Sequence, residues 1–212
     1  NKDNGCRNSF ISRFDKGTLL LIDYSAYHPH LIAELVNYEL PDNVYEYLGK
    51  FFFNKEVLSE TDIQTAKELT FRVIYGHVPV EYRQIPFLKK IREYIKHRWD
   101  FFISNGYIES PIYKRRIDNV HIKTPNPTKL FSYIIQASET EYNIKILDYL
   151  NRFLSNKHSK AILYTYDSVL FDIHPDEFDI IPELQKIMYN NKFPIKCYTG
   201  DTLHKLNKIT ME

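Results

Sequence analysis

Apolar and polar positions divide the chain into short apolar runs and longer stretches in which apolar residues recur every three or four positions. Thr18-Leu19-Leu20-Leu21-Ile22 is a strand-sized apolar run that ends at Asp23. Pro29 then falls in the first turn of a helix with the stripe Leu31, Ile32, Leu35 and Val36, and Pro41 stops it. A second helix is predicted over Val44 to Phe53. Ser59-Glu60-Thr61-Asp62 has the Ser-x-x-Asp form of a capping box and opens a helix through about Tyr75, with Gly76 as its stop. A long amphipathic helix follows from Pro86 to about Ser104, closed by Asn105-Gly106. Tyr107 to Ile122 reads as a hairpin and Pro127 to about Leu154 as another long helix. Ala161 to Ile173 reads as two strands around a turn near Asp167. A helix from about Asp176 to Tyr189 and a last strand near Phe193 to Tyr198 complete the pattern, which has no internal repeat. The predicted class is α+β, an antiparallel sheet with helices packed on it.

Composition narrows the function classes. A chain of 212 residues can bury one sizeable core or two small lobes. Hydrophobic residues make up 43% and charged residues 26%, which argues against disorder. The formal net charge is +1, so any attraction to nucleic acid must come from local positive charge. Cys6 and Cys197 form neither a zinc set nor a disulfide scaffold, and the expected location is the cytoplasm, or the host cytoplasm for a phage-encoded chain. No apolar run reaches membrane-spanning length, and no signal peptide is recognisable. Because the first residue is Asn1, a fragment or processed product is expected. Six glycines hardly permit a glycine-rich phosphate loop. His28 and His30 read as surface or nucleotide-facing rather than as a zinc pair. Lys89-Lys90 and Lys96-His97-Arg98 make basic patches on one helix, more in the manner of a solvated face than of a template contact.

Two aspartates each follow an apolar strand: Asp23 after Leu19–Ile22, and Asp167 between Ala161–Tyr164 and Val169–Phe171. A carboxylate there is costly unless neutralised, and a divalent cation is one such partner. Taken singly, a turn residue or an ion-pair member is the commoner reading. Lys67, Phe71 and Tyr75 recur every four residues, so a cation, an aromatic ring and a phenol share one helical face. That set suits a phosphate chain, a base and a sugar; taken by itself, a helix with one snorkelling lysine and two core aromatics is the commoner reading.

The order of these motifs resembles that of the family A DNA polymerases. Asp23-Tyr24-Ser25 with Leu31-Ile32-Ala33 resembles motif A, and Lys67-x-x-x-Phe71-x-x-x-Tyr75-Gly76 matches motif B. Leu163-x-x-Tyr166-Asp167-Ser168-x-Leu170 sits where motif C belongs. Gly106-Tyr107-Ile108-Glu109-Ser110 with Arg115-Arg116 is similar to the hairpin between motifs B and C. Gln136 and Lys145 fit the following helix, Arg7 with Phe10 the segment before motif A, and Phe193-Pro194-Ile195 with Gly200 the closing strand.

The resemblance implies a right-hand polymerase core lacking most of the thumb, with the palm at about 1–40 and 118–212 and the fingers at about 41–117. Its implied activity is template-directed transfer of deoxynucleotides to a primer 3′-hydroxyl by a two-metal mechanism, in a phage or viral setting. Asp23 and Asp167, with the Tyr24 carbonyl, would hold two Mg²⁺ ions, Mn²⁺ being an alternative. Lys67 would contact phosphates and serve as a catalytic acid. Phe71 would pack on the incoming base or sugar, Tyr75 near the template base, and His28 near the sugar. Arg7 and Gln136 would meet the minor groove, and Arg115 and Arg116 the backbone phosphates. The implied partners are primer-template DNA, deoxynucleoside triphosphates, and a thumb or exonuclease region that precedes Asn1 or comes from a separate chain.

Four features depart from the family pattern. His28 stands where motif A has a glutamate, Ile63 where motif B has a triphosphate-binding arginine, Tyr166-Asp167-Ser168 where motif C reads His-Asp-Glu, and the chain is short. Two alternatives follow: a single-subunit RNA polymerase, whose motif C ends in Asp-Ser, and a degenerate, non-catalytic DNA-binding domain.

Overall fold

A computed structural model of the chain describes residues 5–190 and 192–210. The elements run β1 (Thr18–Tyr24), α1 (Tyr27–Leu35), α2 (Val44–Phe53), α3 (Glu60–Tyr75), α4 (Pro86–Asn105), β2 (Tyr107–Glu109), β3 (Arg116–Asp118), α5 (Pro127–Phe153), β4 (Lys160–Thr165), β5 (Ser168–Ile173), α6 (Ile181–Tyr189), β6 (Ile195–Thr202) and β7 (Lys205–Ile209). The class is α+β, as the pattern predicts: one antiparallel sheet of order β4-β5-β1-β6-β7 and a separate hairpin β2-β3. Among the described residues, no helix is long and apolar enough to cross a membrane.

The described residues fall into two compact units, one from Asn1–Tyr27 with Tyr142–Glu212 and one from His28–Glu141. The first holds the whole five-stranded sheet and α6; the second holds α2, α3, α4 and the hairpin. Helices α1 and α5 cross the boundary in sequence.

In the first unit, β1 lies between β5 and β6, and its alternation sets two unlike faces. Leu20, Ile22 and Tyr24 share a face with Val169, Phe171, Ile173 and Cys197, all buried, and the Tyr24 hydroxyl donates to the Met188 carbonyl of α6 at 3.0 Å. The opposite face carries Asp23, Ser168, Asp172 and Lys196 among its apolar residues. Asp172 is buried on that face because it accepts from the Ser12 hydroxyl at 2.6 Å and pairs with Arg13 at 3.4 Å.

In the second unit, Ser59 caps α3 with the complete reciprocal capping box to Asp62 that its sequence announces. Gly49 lets α2 approach α3 closely, since a Cβ there would stand 2.7 Å from Leu58 and 3.0 Å from Ala66. Below the helices, Phe102, Ile108, Ile122, Leu130 and Ile134 make an apolar cluster joined by Trp99 and Tyr94.

Several boundaries differ from the pattern. Helix α1 stops at Leu35 rather than near Pro41, because Asn37 takes a left-handed conformation (φ 50°) that lets the Tyr38 amide reach the Ala33 carbonyl. Strand β1 runs past Asp23 to Tyr24, and the last strand continues to Thr202 and pairs with an unforeseen β7. The helix expected from Asp176 is a 3₁₀ segment (Pro175–Ile180) followed by α6, with Glu177 out of helical geometry (φ −126°, ψ 23°). Glu177 turns away to accept from the Ser159 hydroxyl (2.6 Å), the Ser159 amide (2.8 Å) and the His158 amide (3.0 Å). His30, read as a surface or nucleotide-facing residue, is buried, and burial lowers its pKa against the opposing pull of Asp42.

Burial pulls the Glu177 carboxyl upward, but the Ser159 and His158 donors outweigh it and hold its pKa at about 2, against an ordinary 4.5. A depressed carboxylate contributes stability that is present above its ordinary pKa and lost as pH falls through the folded value. Glu177→Gln is therefore expected to be less stable than the wild type at neutral pH. The gap should narrow as pH falls from 4.5 toward 2, read from urea midpoints across that range.

Candidate active site

The two strand-end aspartates come together through backbone register. Asp23 pairs directly with Ser168, the first residue of β5, and the Tyr24 amide donates to the Asp167 carbonyl at 2.8 Å. Asp23 is half-buried on the polar face of the sheet, and Asp167 is exposed at the β4–β5 turn. Across the strands the row reads Thr165, Ser168, Asp23, Lys196, so one lysine lies in register beside Asp23. Ser168 is buried, with its hydroxyl 2.7 Å from that of Thr165. It ties the turn together.

The turn itself is shaped from beneath. Tyr166, just before Asp167, has a positive φ of 43°, a conformation that costs an ordinary residue roughly 1–3 kcal/mol and persists only where its surroundings hold it. The holder is Asn143 of α5, buried, whose side-chain amide donates to the Tyr166 carbonyl at 2.8 Å and to the Tyr164 hydroxyl at 2.7 Å. Its oxygen accepts from the Tyr27 hydroxyl at 3.0 Å, and the Tyr27 ring stacks on that of Tyr24 at 4.4 Å. Asn143 is absent from the residues expected from the motifs; its one signal in the sequence is an asparagine in the apolar stripe of Ile135, Ile146 and Leu150.

The Asp23 and Asp167 carboxylates and the Tyr24 carbonyl would offer only oxygen donors, which suit a hard cation such as Mg²⁺. Among the described residues, no three His, Cys, Asp or Glu side chains gather at metal-binding distance. Water and phosphate oxygens would complete any coordination sphere, as is usual for Mg²⁺.

In the second unit, α3 presents the predicted face. The Phe71 and Tyr75 rings lie near parallel (3°) with centroids 6.4 Å apart. Lys67 is exposed, with its ammonium 5.8 Å from the centroid of the Tyr45 ring. Tyr75 reaches His28: its hydroxyl lies 2.5 Å from Nδ1, and His28 Nε2 stands 3.3 Å from the Glu139 carboxylate. Burial, reinforced by the Glu139 charge, pushes the Tyr75 phenol well above its ordinary range.

The remaining predicted residues are surface cations and one amide. Arg116 pairs with Asp118 at 2.6 Å and stacks over the Tyr107 ring at 4.1 Å; Arg115 is exposed in the hairpin loop. Buried Glu141 fixes that loop by accepting from the Ile112 amide (2.9 Å) and the Tyr113 amide (3.2 Å). Gln136 is exposed on α5, and Arg7 is exposed in a 3₁₀ turn of the first unit.

No protein-family model matches the chain, and no curated protein sequence matches it. Its fold is similar to that of the POL domain of Pol1 from M. smegmatis, solved in complex with DNA primer-template and dNTP, with a TM-score of 0.75 at 14% identity. The similarity covers 93% of this chain and 42% of that one. The shared fold is that of a DNA polymerase domain, and the chain spans less than half the length of the solved relative.

Asn143→Ala leaves the Tyr166 carbonyl and the Tyr27 hydroxyl without their buried partner. The expected cost is about 1–3 kcal/mol of unfolding free energy, measured by chemical denaturation.

Proposed function

We propose that the chain is the palm and fingers of a template-directed nucleotidyl transferase of the family A DNA polymerase kind, the sheet-bearing unit serving as palm and the helical unit as fingers. The observation that carries this reading is the β1–β5 register, which brings Asp23 and the Asp167 turn side by side on a fold shared with a polymerase domain. Primer-template DNA and deoxynucleoside triphosphates are its proposed partners.

When bound, two divalent cations held by Asp23, Asp167 and the Tyr24 carbonyl would supply activation of the primer 3′-hydroxyl and neutralise the triphosphate. The chain's own residues orient the reactants. Lys67, exposed on α3, contacts the phosphates and delivers a proton toward the pyrophosphate leaving group. Phe71 packs against the incoming base or sugar, Tyr75 stacks near the template base, and His28 borders the sugar. Arg115, Arg116, Arg7 and Gln136 hold duplex DNA by phosphate and groove contacts. With Ile63 where the family has an arginine, one charge-assisted phosphate contact is missing. That absence is worth about 1.5–3 kcal/mol and makes Lys67 the main cation on this helix face.

Asp167→Ala and Asp23→Ala are each expected to lower primer extension by at least about a hundredfold, the loss of roughly 3 kcal/mol of charge stabilisation. Extension that survives Asp167→Ala unchanged would remove the aspartate pair from the chemistry. Lys67→Ala should raise the nucleotide KM by about tenfold to a hundredfold, measured by single-nucleotide incorporation.

A further inference from the structure

Tyr75, His28 and Glu139 form one hydrogen-bonded chain whose proton positions follow from its members. The Tyr75 hydroxyl lies 2.5 Å from His28 Nδ1, which accepts when the phenol is the donor and the imidazole is neutral. An imidazole that accepts at Nδ1 carries its proton at Nε2, and Nε2 faces the Glu139 carboxylate at 3.3 Å. Glu139 is buried on α5, on the same stripe as Ile135 and Ile146, where a lone carboxylate would be costly. It stands there with His28 as its partner. The His28 and Tyr75 rings meet edge to face at 5.8 Å, and Phe71 lies parallel beyond Tyr75. Three rings thus stand in line, with the Glu139 carboxylate at one end.

We propose that Glu139 is a positioning residue for nucleotide-sugar selection: it fixes the orientation and tautomer of His28, which borders the sugar of the incoming nucleoside triphosphate and steadies the Tyr75 ring. This rests on the polymerase reading above. Glu139 touches no substrate; it acts through His28. Removing it takes away the carboxylate that orients the imidazole and loosens the Tyr75 ring. The loosened rings then tolerate a 2′-hydroxyl that the fixed rings exclude.

The test compares deoxy- and ribonucleotide incorporation by the wild type, Glu139→Gln, Glu139→Ala, His28→Ala and the double alanine variant, together with the side-chain nitrogen NMR signals of His28. Glu139→Ala should raise the deoxynucleotide KM about tenfold with kcat within about threefold, and lower the deoxy-to-ribo preference by a similar factor. Glu139→Gln, which retains an acceptor oxygen, should restore most of both. In the His28→Ala background, Glu139→Ala should add nothing. The His28 signals should show the Nε2-protonated tautomer in the wild type and a mixture in Glu139→Ala. Intact extension with unchanged selectivity in Glu139→Ala, or an additive double variant, overturns this proposal alone. A wild-type protein that extends no primer with either nucleotide overturns the polymerase reading and this proposal with it.

Discussion

The hydrogen bond from the Tyr24 amide to the Asp167 carbonyl is the constraint on which the candidate chemistry depends. Asp23 and Asp167 are 144 positions apart in the numbering of the chain, and nothing local relates them. They meet because β1 is inserted between β5 and β6, and antiparallel pairing with β5 sets the end of β1 beside the β4–β5 turn. A slip of one residue in that register would turn Asp23 to the apolar face, where Ile22 and Tyr24 are buried. The apolar face therefore sets the carboxylate's position.

Around that bond the protein places groups that hold shape rather than react. Asn143 supplies the donors for a turn with positive φ at Tyr166, Ser168 ties the same turn to Thr165, and Tyr27 closes the set by stacking on Tyr24. A conformation of this kind is unstable alone and persists because several buried partners over-determine it. The second unit uses the same device twice on α5. Glu141 holds the hairpin loop that carries Arg115, and Glu139 holds His28 against Tyr75. Polar residues at these buried positions cost desolvation, and each is offset by specific donors.

The departures from the polymerase motifs that the sequence resembles acquire a physical setting. His28 stands where a carboxylate is expected, yet a carboxylate is still present one step away, at Glu139 behind the imidazole. Ser168 leaves the polar face of the sheet with one fewer carboxylate and occupies itself with Thr165. Lys196, in register beside Asp23, adds a positive charge to the same row.

Local sequence determined a great deal about this protein. The capping box at Ser59, the helix over Val44–Phe53, the apolar run into Asp23 and the four-residue spacing of Lys67, Phe71 and Tyr75 are all short-range signals, and the structure carries each of them. They resolve because caps, helical periodicity and strand alternation depend on residues within a turn or two. Where the pattern misjudged a boundary, a distant partner had intervened: Glu177 leaves helical geometry to reach Ser159, and β7 forms because β6 offers it an edge. The likeness to a polymerase domain in spatial arrangement, at 14% identity, belongs to the tertiary level as well. So do the meeting of Asp23 with the Asp167 turn, the grip of Asn143 and the chain from Tyr75 through His28 to Glu139. These are contacts between residues tens to more than a hundred positions apart, created by strand register and helix packing, and no local spacing encodes them.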